Sequence, residues 1–137
     1  KTIVGIKEAA GKLEQVKELL EKCPKDFVVL SGEDALTLDI YKMGGQGAIS
    51  VTANVCPREC ANEWLAFKAG EIKKAEEIHQ ALMPLHDGMF FETNPIPVKA
   101  ALAMMGMVAE EYRLPLVKMS EVNRKRLENI LKQMQVI

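Results

Sequence analysis

The chain has 137 residues, 48% hydrophobic and 27% charged, a size and composition that suit one soluble domain with a buried core. Eighteen Lys and Arg against 19 Asp and Glu leave a formal net charge of −1, which excludes the basic stripe of a nucleic-acid binder and the acidic excess of a disordered tail. The apolar runs are too short to span a bilayer and nothing near the start resembles a signal peptide, so a cytoplasmic protein without membrane contact is expected.

Three short β-branched runs, Ile3–Ile6, Phe27–Leu30 and Ala48–Val51, begin 24 and then 21 residues apart. Each is followed by a polar loop and a helical pattern. After the first, Leu13, Val16, Leu19 and Leu20 form one apolar stripe, which Cys23 extends and Pro24 ends. After the second, EDALTLDIYKMGG predicts a shorter helix closed by Gly44 and Gly45. The order is β-α-β-α-β, and the strands are apolar on both faces, as parallel strands covered by helices should be.

From Pro57 onward the strand signal stops. PRECANEWLAFKAG predicts a helix that starts at Pro57 and ends on Gly70. In EIKKAEEIHQALMPLHDGM, residues Ile72, Ala75, Ile78, Ala81 and Leu82 share a face, and Pro84 is expected to kink or end the helix. Pro95 and Pro97 frame the start of VKAALAMMGM. Ser120 is the expected cap of a last helix, SEVNRKRLENILKQMQ, with Asn123 where a capping box has Glu or Gln. The chain therefore divides into residues 1–70, three βα units, and residues 71–137, a helical region.

Three parallel strands leave two unpaired sheet edges, whereas a closed (β/α)8 barrel takes eight strands and typically about 250 residues. An α/β fold is expected, the C-terminal portion of a TIM barrel with its last three strands plus extra C-terminal helices. The absent initiator Met fits a chain that is one part of such a barrel.

Lys7 follows an apolar strand, and two readings stand side by side. Its side chain reaches solvent over an apolar stem. Alternatively, the amine lies at the mouth of a barrel, where active sites gather and where desolvation disfavours the ammonium form, so that it attacks a ketone and forms a Schiff base. The other strand ends are similar in kind. SGED after the second is a strand-to-helix turn in which Gly32 permits close approach to the backbone. Thr52, Ala53 and Asn54 follow the third.

Elsewhere structural readings prevail. Cys56 and Cys60 are four apart, but no second pair supplies the four ligands of a structural zinc, so Cys23, Cys56 and Cys60 are read as reduced thiols. His79 and His86 are read as helix-surface histidines. Met104, Met105 and Met107 are read as adaptable core or interface packing, Trp64 and Phe67 as core, and ETNPIPVK as a rigid connector.

Taken in order, VGIKEAAG, LSGEDALTL, GGQGAISVTANV and ETNPIPVKAAL resemble the dihydrodipicolinate synthase family, pyruvate-dependent class I aldolases and lyases. The resemblance runs over essentially the whole chain and corresponds to barrel strands six to eight. It implies that Lys7 forms the Schiff base with pyruvate, and that Gly32 and Ile49 line the pocket around the adduct. It implies condensation of pyruvate with aspartate semialdehyde in diaminopimelate and lysine biosynthesis, with no metal or organic cofactor because the protonated imine is the electron sink. It also implies a homo-oligomer, commonly a tetramer.

The family's relay tyrosine and threonine and its substrate arginine come from earlier strands. Tyr41 and Tyr112 do not match the relay tyrosine, and Arg58, Arg113, Arg124 and Arg126 do not match the arginine. The partner implied is the N-terminal part of the barrel, and the segment alone is expected to be inactive. Two alternatives remain at this point: a related aldolase such as N-acetylneuraminate lyase or a 2-keto-3-deoxy-sugar-acid aldolase, and a non-catalytic half-barrel that pairs with its own copy.

Overall fold

The protein's structure, a computed structural model, describes residues 2–137. Its elements in chain order are β1 (Gly5–Glu8), α1 (Leu13–Lys22), β2 (Val28–Ser31), a short 3-10 turn (Asp34–Leu36), α2 (Thr37–Met43), β3 (Gly47–Ala48), a second such turn (Thr52–Asn54), α3 (Pro57–Lys68), α4 (Ile72–Gly88), α5 (Ile96–Met104) and α6 (Glu121–Gln133). The described residues form two compact units. One comprises the chain up to Ser50 with Ala61–His79, the other Val51–Cys60 with Gln80–Ile137. Both α3 and α4 contribute residues to each.

In the first unit, three parallel strands lie in the order β1-β2-β3. The α/β class and the parallel order agree with the sequence; the strand limits do not. Ile3 and Val4 precede β1 and are exposed, and the strand instead begins at Gly5 and takes in Lys7 and Glu8. The third strand is only two residues long, because the chain turns into the 3-10 segment Thr52–Asn54 where a longer run of β-branched residues suggested extension.

Helices cover one face of the sheet. Val29 packs with Val16 of α1 and Ile40 of α2, flanked by Leu13, Leu19, Leu20, Phe27, Leu36 and Met43. Burying a side chain such as Val or Ile is worth roughly 1.5–3 kcal/mol, so this cluster is the main anchor of the sheet. Coverage of both faces is not what the structure shows: Lys7 and Ile49, on the face opposite Val29, remain exposed. Gly44 ends α2 at φ +111°, a left-handed conformation that favours glycine, with its N–H turned back to the carbonyls of Ile40 and Tyr41.

A second cluster in the same unit joins Leu38 and Tyr41 of α2 to Ala66 of α3 and Ala75 of α4. Tyr41, Trp64 and Phe67 form an aromatic trio, with centroids 4.6, 5.5 and 6.1 Å apart. Trp64 and Phe67, read from the sequence as core, are partly buried and pack against the core cluster.

The second unit is helical. Leu82 and Leu85 on α4, Met89 just after it, Ala100 and Ala101 on α5, and Leu127 and Leu131 on α6 are buried. Pro84 neither ends nor breaks α4, which runs on to Gly88. Met107 is exposed rather than core. Among the described residues, no helix is long and apolar enough to cross a membrane.

Ser120 caps α6 as expected, its Oγ accepting from the Asn123 N–H at 3.5 Å. The stronger device is Glu92, which stands outside the helix. Its Oε1 accepts from Ser120 Oγ at 2.6 Å, Ser120 N at 3.0 Å and Asn123 Nδ2 at 3.0 Å. The hydrogen bond from the Ser120 hydroxyl, joined by that from Asn123, holds the Glu92 carboxyl below the usual glutamate range. A carboxylate also complements the positive end of the helix dipole.

Ser120→Ala is expected to lower stability by about 1 kcal/mol, the usual cost of losing an N-cap side chain. Because the folded pKa of Glu92 is depressed, its contribution is present above the unfolded value and is lost as the pH falls through the folded one. Glu92→Gln should therefore flatten the acid limb of stability against pH. Urea unfolding of the two variants between neutral and acid pH checks both outcomes.

Candidate active site

Parallel register decides which side chains share a face. Lys7 pairs with Leu30, and Leu30 with Gly47, so these three positions form one row across the sheet. Sheet hydrogen bonds continue one residue beyond the ladder. The Gly32 N–H donates to the Glu8 carbonyl at 2.7 Å, and the Ile49 N–H to the Ser31 carbonyl at 2.8 Å. Gly32 and Ile49 are two residues on from Leu30 and Gly47, and so occupy the next row of the face that carries Lys7.

The structure brings Lys7 directly against Gly32. A Cβ on Gly32 would stand 2.5 Å from Lys7 Cε, 2.9 Å from Lys7 Cγ and 2.7 Å from Ala9 Cβ. Only glycine leaves room for the lysine stem there. Lys7 itself is exposed, and Ile49, just past the end of β3, is 50% exposed. Lys7 is the third of four strand residues rather than the residue after the strand. Its direction is therefore fixed by pairing on both sides in sequence.

The opposite face is where sequence reasoning missed the supporting groups. Glu8 follows Lys7 and is buried, with Oε1 accepting from the Ala10 N–H at 2.8 Å and from Gln15 Nε2 at 3.2 Å. It ties the loop after β1 to α1. A signal was available: Glu8 alternates with Ile6, on the face that carries Val29 one strand over. Gln46 bridges β2 from the side, its Oε1 accepting from the Val29 N–H at 2.8 Å while its own N–H donates to the Val29 carbonyl at 3.0 Å.

The SGED turn is held by hydroxyls. Ser31 Oγ and Thr37 Oγ1 lie 2.9 Å apart, and each also contacts the Glu33 carbonyl, at 3.0 and 3.1 Å. Burial, with the neighbouring Asp34 charge, raises the Glu33 carboxyl above its ordinary value.

Both histidines depart from the surface reading. His79 is 7% exposed and His86 3%. In the first unit, His79 Nδ1 lies 3.3 Å from Glu63 Oε1, and Nε2 is 3.2 Å from the Ala35 carbonyl. In the second, His86 Nδ1 is 2.8 Å from Thr52 Oγ1. The polar residues on α4 that sequence periodicity leaves facing water are drawn inside because each meets a polar partner, the condition for burying such groups. The three cysteines form no disulfide. Cys56 is buried, and burial pushes its thiol pKa up, away from a reactive thiolate.

The chain matches the "Dihydrodipicolinate synthetase family" over residues 1–134. It is 52% identical over 130 residues to a 4-hydroxy-tetrahydrodipicolinate synthase of Thermodesulfovibrio yellowstonii, a match covering 95% of this chain and 45% of that protein. The crystal structure of dihydrodipicolinate synthase from Aquifex aeolicus superposes with a TM-score of 0.95 at 42% identity, covering 98% of this chain and 46% of that one. A dihydrodipicolinate synthase from Acinetobacter baumannii, solved in complex with pyruvate, gives a TM-score of 0.93 at 36% identity, with 98% and 46% covered. The chain thus spans about half the length of the relatives it matches, and its strands and helices are the C-terminal part of their TIM barrel. On the family match and these similarities, the chain belongs to the dihydrodipicolinate synthetase family.

Proposed function

We propose that this chain carries the covalent catalyst of a 4-hydroxy-tetrahydrodipicolinate synthase, with Lys7 as the residue that forms an imine with pyruvate. The observation that carries this reading is the placement of Lys7, Gly32 and Ile49 on one sheet face, with the lysine stem seated against Gly32. The relatives' names support it, and one relative was solved with pyruvate bound.

In the proposed reaction, the neutral Lys7 amine attacks the keto carbon of pyruvate, and the keto oxygen leaves as water. The protonated imine draws electron density from the methyl carbon, which loses a proton to give an enamine. That carbon attacks the aldehyde carbon of aspartate semialdehyde, whose oxygen takes up a proton. The semialdehyde's amine then closes on the imine carbon and expels Lys7, regenerating the amine. The iminium is the electron sink, so this route calls on no metal or organic cofactor. Gly32 and Ile49 line the space around the adduct, Gly32 by allowing close approach.

Proton transfers in this route need acid–base groups that the matched family draws from earlier strands. Such groups are worth roughly 10²–10⁴-fold when they act as ordinary general acids and bases. The apolar Ile3, Val4, Ile6 and Ile49, exposed around the sheet edges, fit coverage by those strands. The rest of the barrel is accordingly the required partner, with pyruvate and aspartate semialdehyde as substrates.

Pyruvate with borohydride, followed by mass spectrometry, tests the proposal on the chain with and without the complementary barrel portion. Trapping at Lys7 when both are present, and its loss in Lys7→Arg, is the expected result. No adduct at Lys7 in the complete barrel overturns it. Gly32→Ala should reduce trapping by about 10²-fold, the scale on which a displacement of ~1 Å acts. Trapping rates for the variant and parent, measured side by side, check this.

A further inference from the structure

We propose that Gln46 is a positioning residue: its side chain replaces a missing rung of the sheet and fixes the register of β3, and through it the place of Ile49. The clasp rests on geometry alone; only its consequence at Lys7 rests on the Schiff-base reading.

Alternate residues of a middle strand direct their backbone groups to opposite neighbours. In β2, Val28 donates its N–H to the Val4 carbonyl at 2.9 Å, and just beyond the strand Gly32 donates to the Glu8 carbonyl at 2.7 Å, both on the β1 side. The Val29 carbonyl accepts from the Gln46 N–H at 3.0 Å, and the Ser31 carbonyl from the Ile49 N–H at 2.8 Å, both on the β3 side. The Val29 N–H therefore also points toward β3. Val29 is fully buried, so that group needs an acceptor.

The chain ahead of Gln46 is the end of a helix, not a strand. The N–H groups of Gly44 and Gly45 turn back to the Tyr41 and Ile40 carbonyls, at 3.0 and 2.8 Å, and Gly44 takes its left-handed φ. The Gln46 side chain supplies the acceptor instead, its Oε1 receiving the Val29 N–H at 2.8 Å. One residue thus holds both polar groups of the Val29 backbone, the carbonyl with its main chain and the N–H with its side chain.

The neighbouring sequence permits this in one register. Residues 44–47 read Gly-Gly-Gln-Gly, so a slip of one residue either way brings glycine to the clasp and strands the Val29 N–H. A stranded buried donor loses its full hydration, a larger penalty than an ordinary hydrogen bond's net gain. Nor can the acceptor move to position 45, where a Cβ would stand 2.5 Å from Ile40 Cγ2 and 2.9 Å from the Ile40 carbonyl oxygen. Only Gly47 and Ala48 are paired in β3, so the contact at its start weighs heavily in holding it. A one-residue slip would turn Ile49 to the helix-packed side, out of the row it shares with Gly32. Gln46 is itself exposed, so what it gives the fold is an acceptor atom rather than core volume.

Amide hydrogen exchange read by NMR, on the isotopically labelled chain bound to the complementary barrel portion, tests the clasp. Gln46→Met keeps the length and loses the acceptor; Gln46→Glu keeps an acceptor oxygen. In Gln46→Met the Val29 amide should exchange at least about 10-fold faster, the scale on which a stranded buried donor acts, and the Ile49 amide should follow it. The Val28 amide, bonded on the β1 side, is the internal reference and should hold its rate. A Val29 amide that is unchanged, or that speeds up only in step with Val28, overturns the proposal. In Gln46→Glu the Val29 amide should stay protected and its shift should follow the titration of the introduced carboxyl; an amide blind to that titration overturns the clasp even where Gln46→Met does not fold. Pyruvate trapping at Lys7 is scored separately. Gln46→Met should raise the half-saturating pyruvate concentration about 10-fold, the order that one apolar side chain's burial supplies, and leave the rate at saturation unchanged. An unchanged half-saturation overturns the link to Ile49. Exchange as expected without any trapping in the parent leaves the clasp standing and removes the Schiff-base reading.

Discussion

Parallel pairing without a register slip is the constraint on which the first unit depends. Aligned residues of parallel strands project to the same side, so the pairs Lys7–Leu30 and Leu30–Gly47 determine what shares a face with the lysine. A shift of one residue in β1 would carry Lys7 to the helix-packed side and bring Glu8 out. Two features oppose such a shift. Val29 is locked among Val16 and Ile40, and Glu8 is satisfied only where the Ala10 amide and Gln15 reach it. The residue beside the lysine thus helps to hold the lysine's orientation, although its own side chain points away.

Much of this order was legible in the sequence, because periodicity reports burial. The stripe Leu13–Val16–Leu19–Leu20 marked α1, the glycine pair marked the end of α2, and Ser120 marked the start of α6. The motifs around Lys7, Gly32 and Ile49 led to the family, and the fold matched. What was not legible lay in the pairing of polar groups. Periodicity treats Glu8, Glu63, His79 and His86 as residues for solvent, since a charge or imidazole alone is costly to bury. Each is buried because a partner distant in sequence meets it: Gln15 for Glu8, Thr52 for His86, Glu63 for His79. Strand limits failed for a related reason. Ile3 and Val4 have high strand propensity but lie before the first paired residue, and extension follows pairing rather than propensity.

Polar groups in this protein are placed where loops meet regular elements. Ser31 and Thr37 hold one strand-to-helix turn, Glu8 another, and Glu92 with Ser120 the start of the last helix. A loop satisfied in this way depends on particular atoms, and is less tolerant of substitution than its exposure suggests. The buried pair Glu63–His79 belongs to the same pattern. Removing one member of such a pair leaves an uncompensated charge, commonly at a cost of about 3–5 kcal/mol.

The contact between Lys7 and Gly32 has an entropic side. A lysine gives up as much as about 2 kcal/mol of rotamer freedom when its chain is fixed. Here the Cγ and Cε methylenes already rest against a residue with no side chain, so the stem loses part of that freedom when the protein folds. The amine's remaining motion is then largely about its outermost bonds. The absent Cβ of Gly32 acts as a groove that directs the lysine stem.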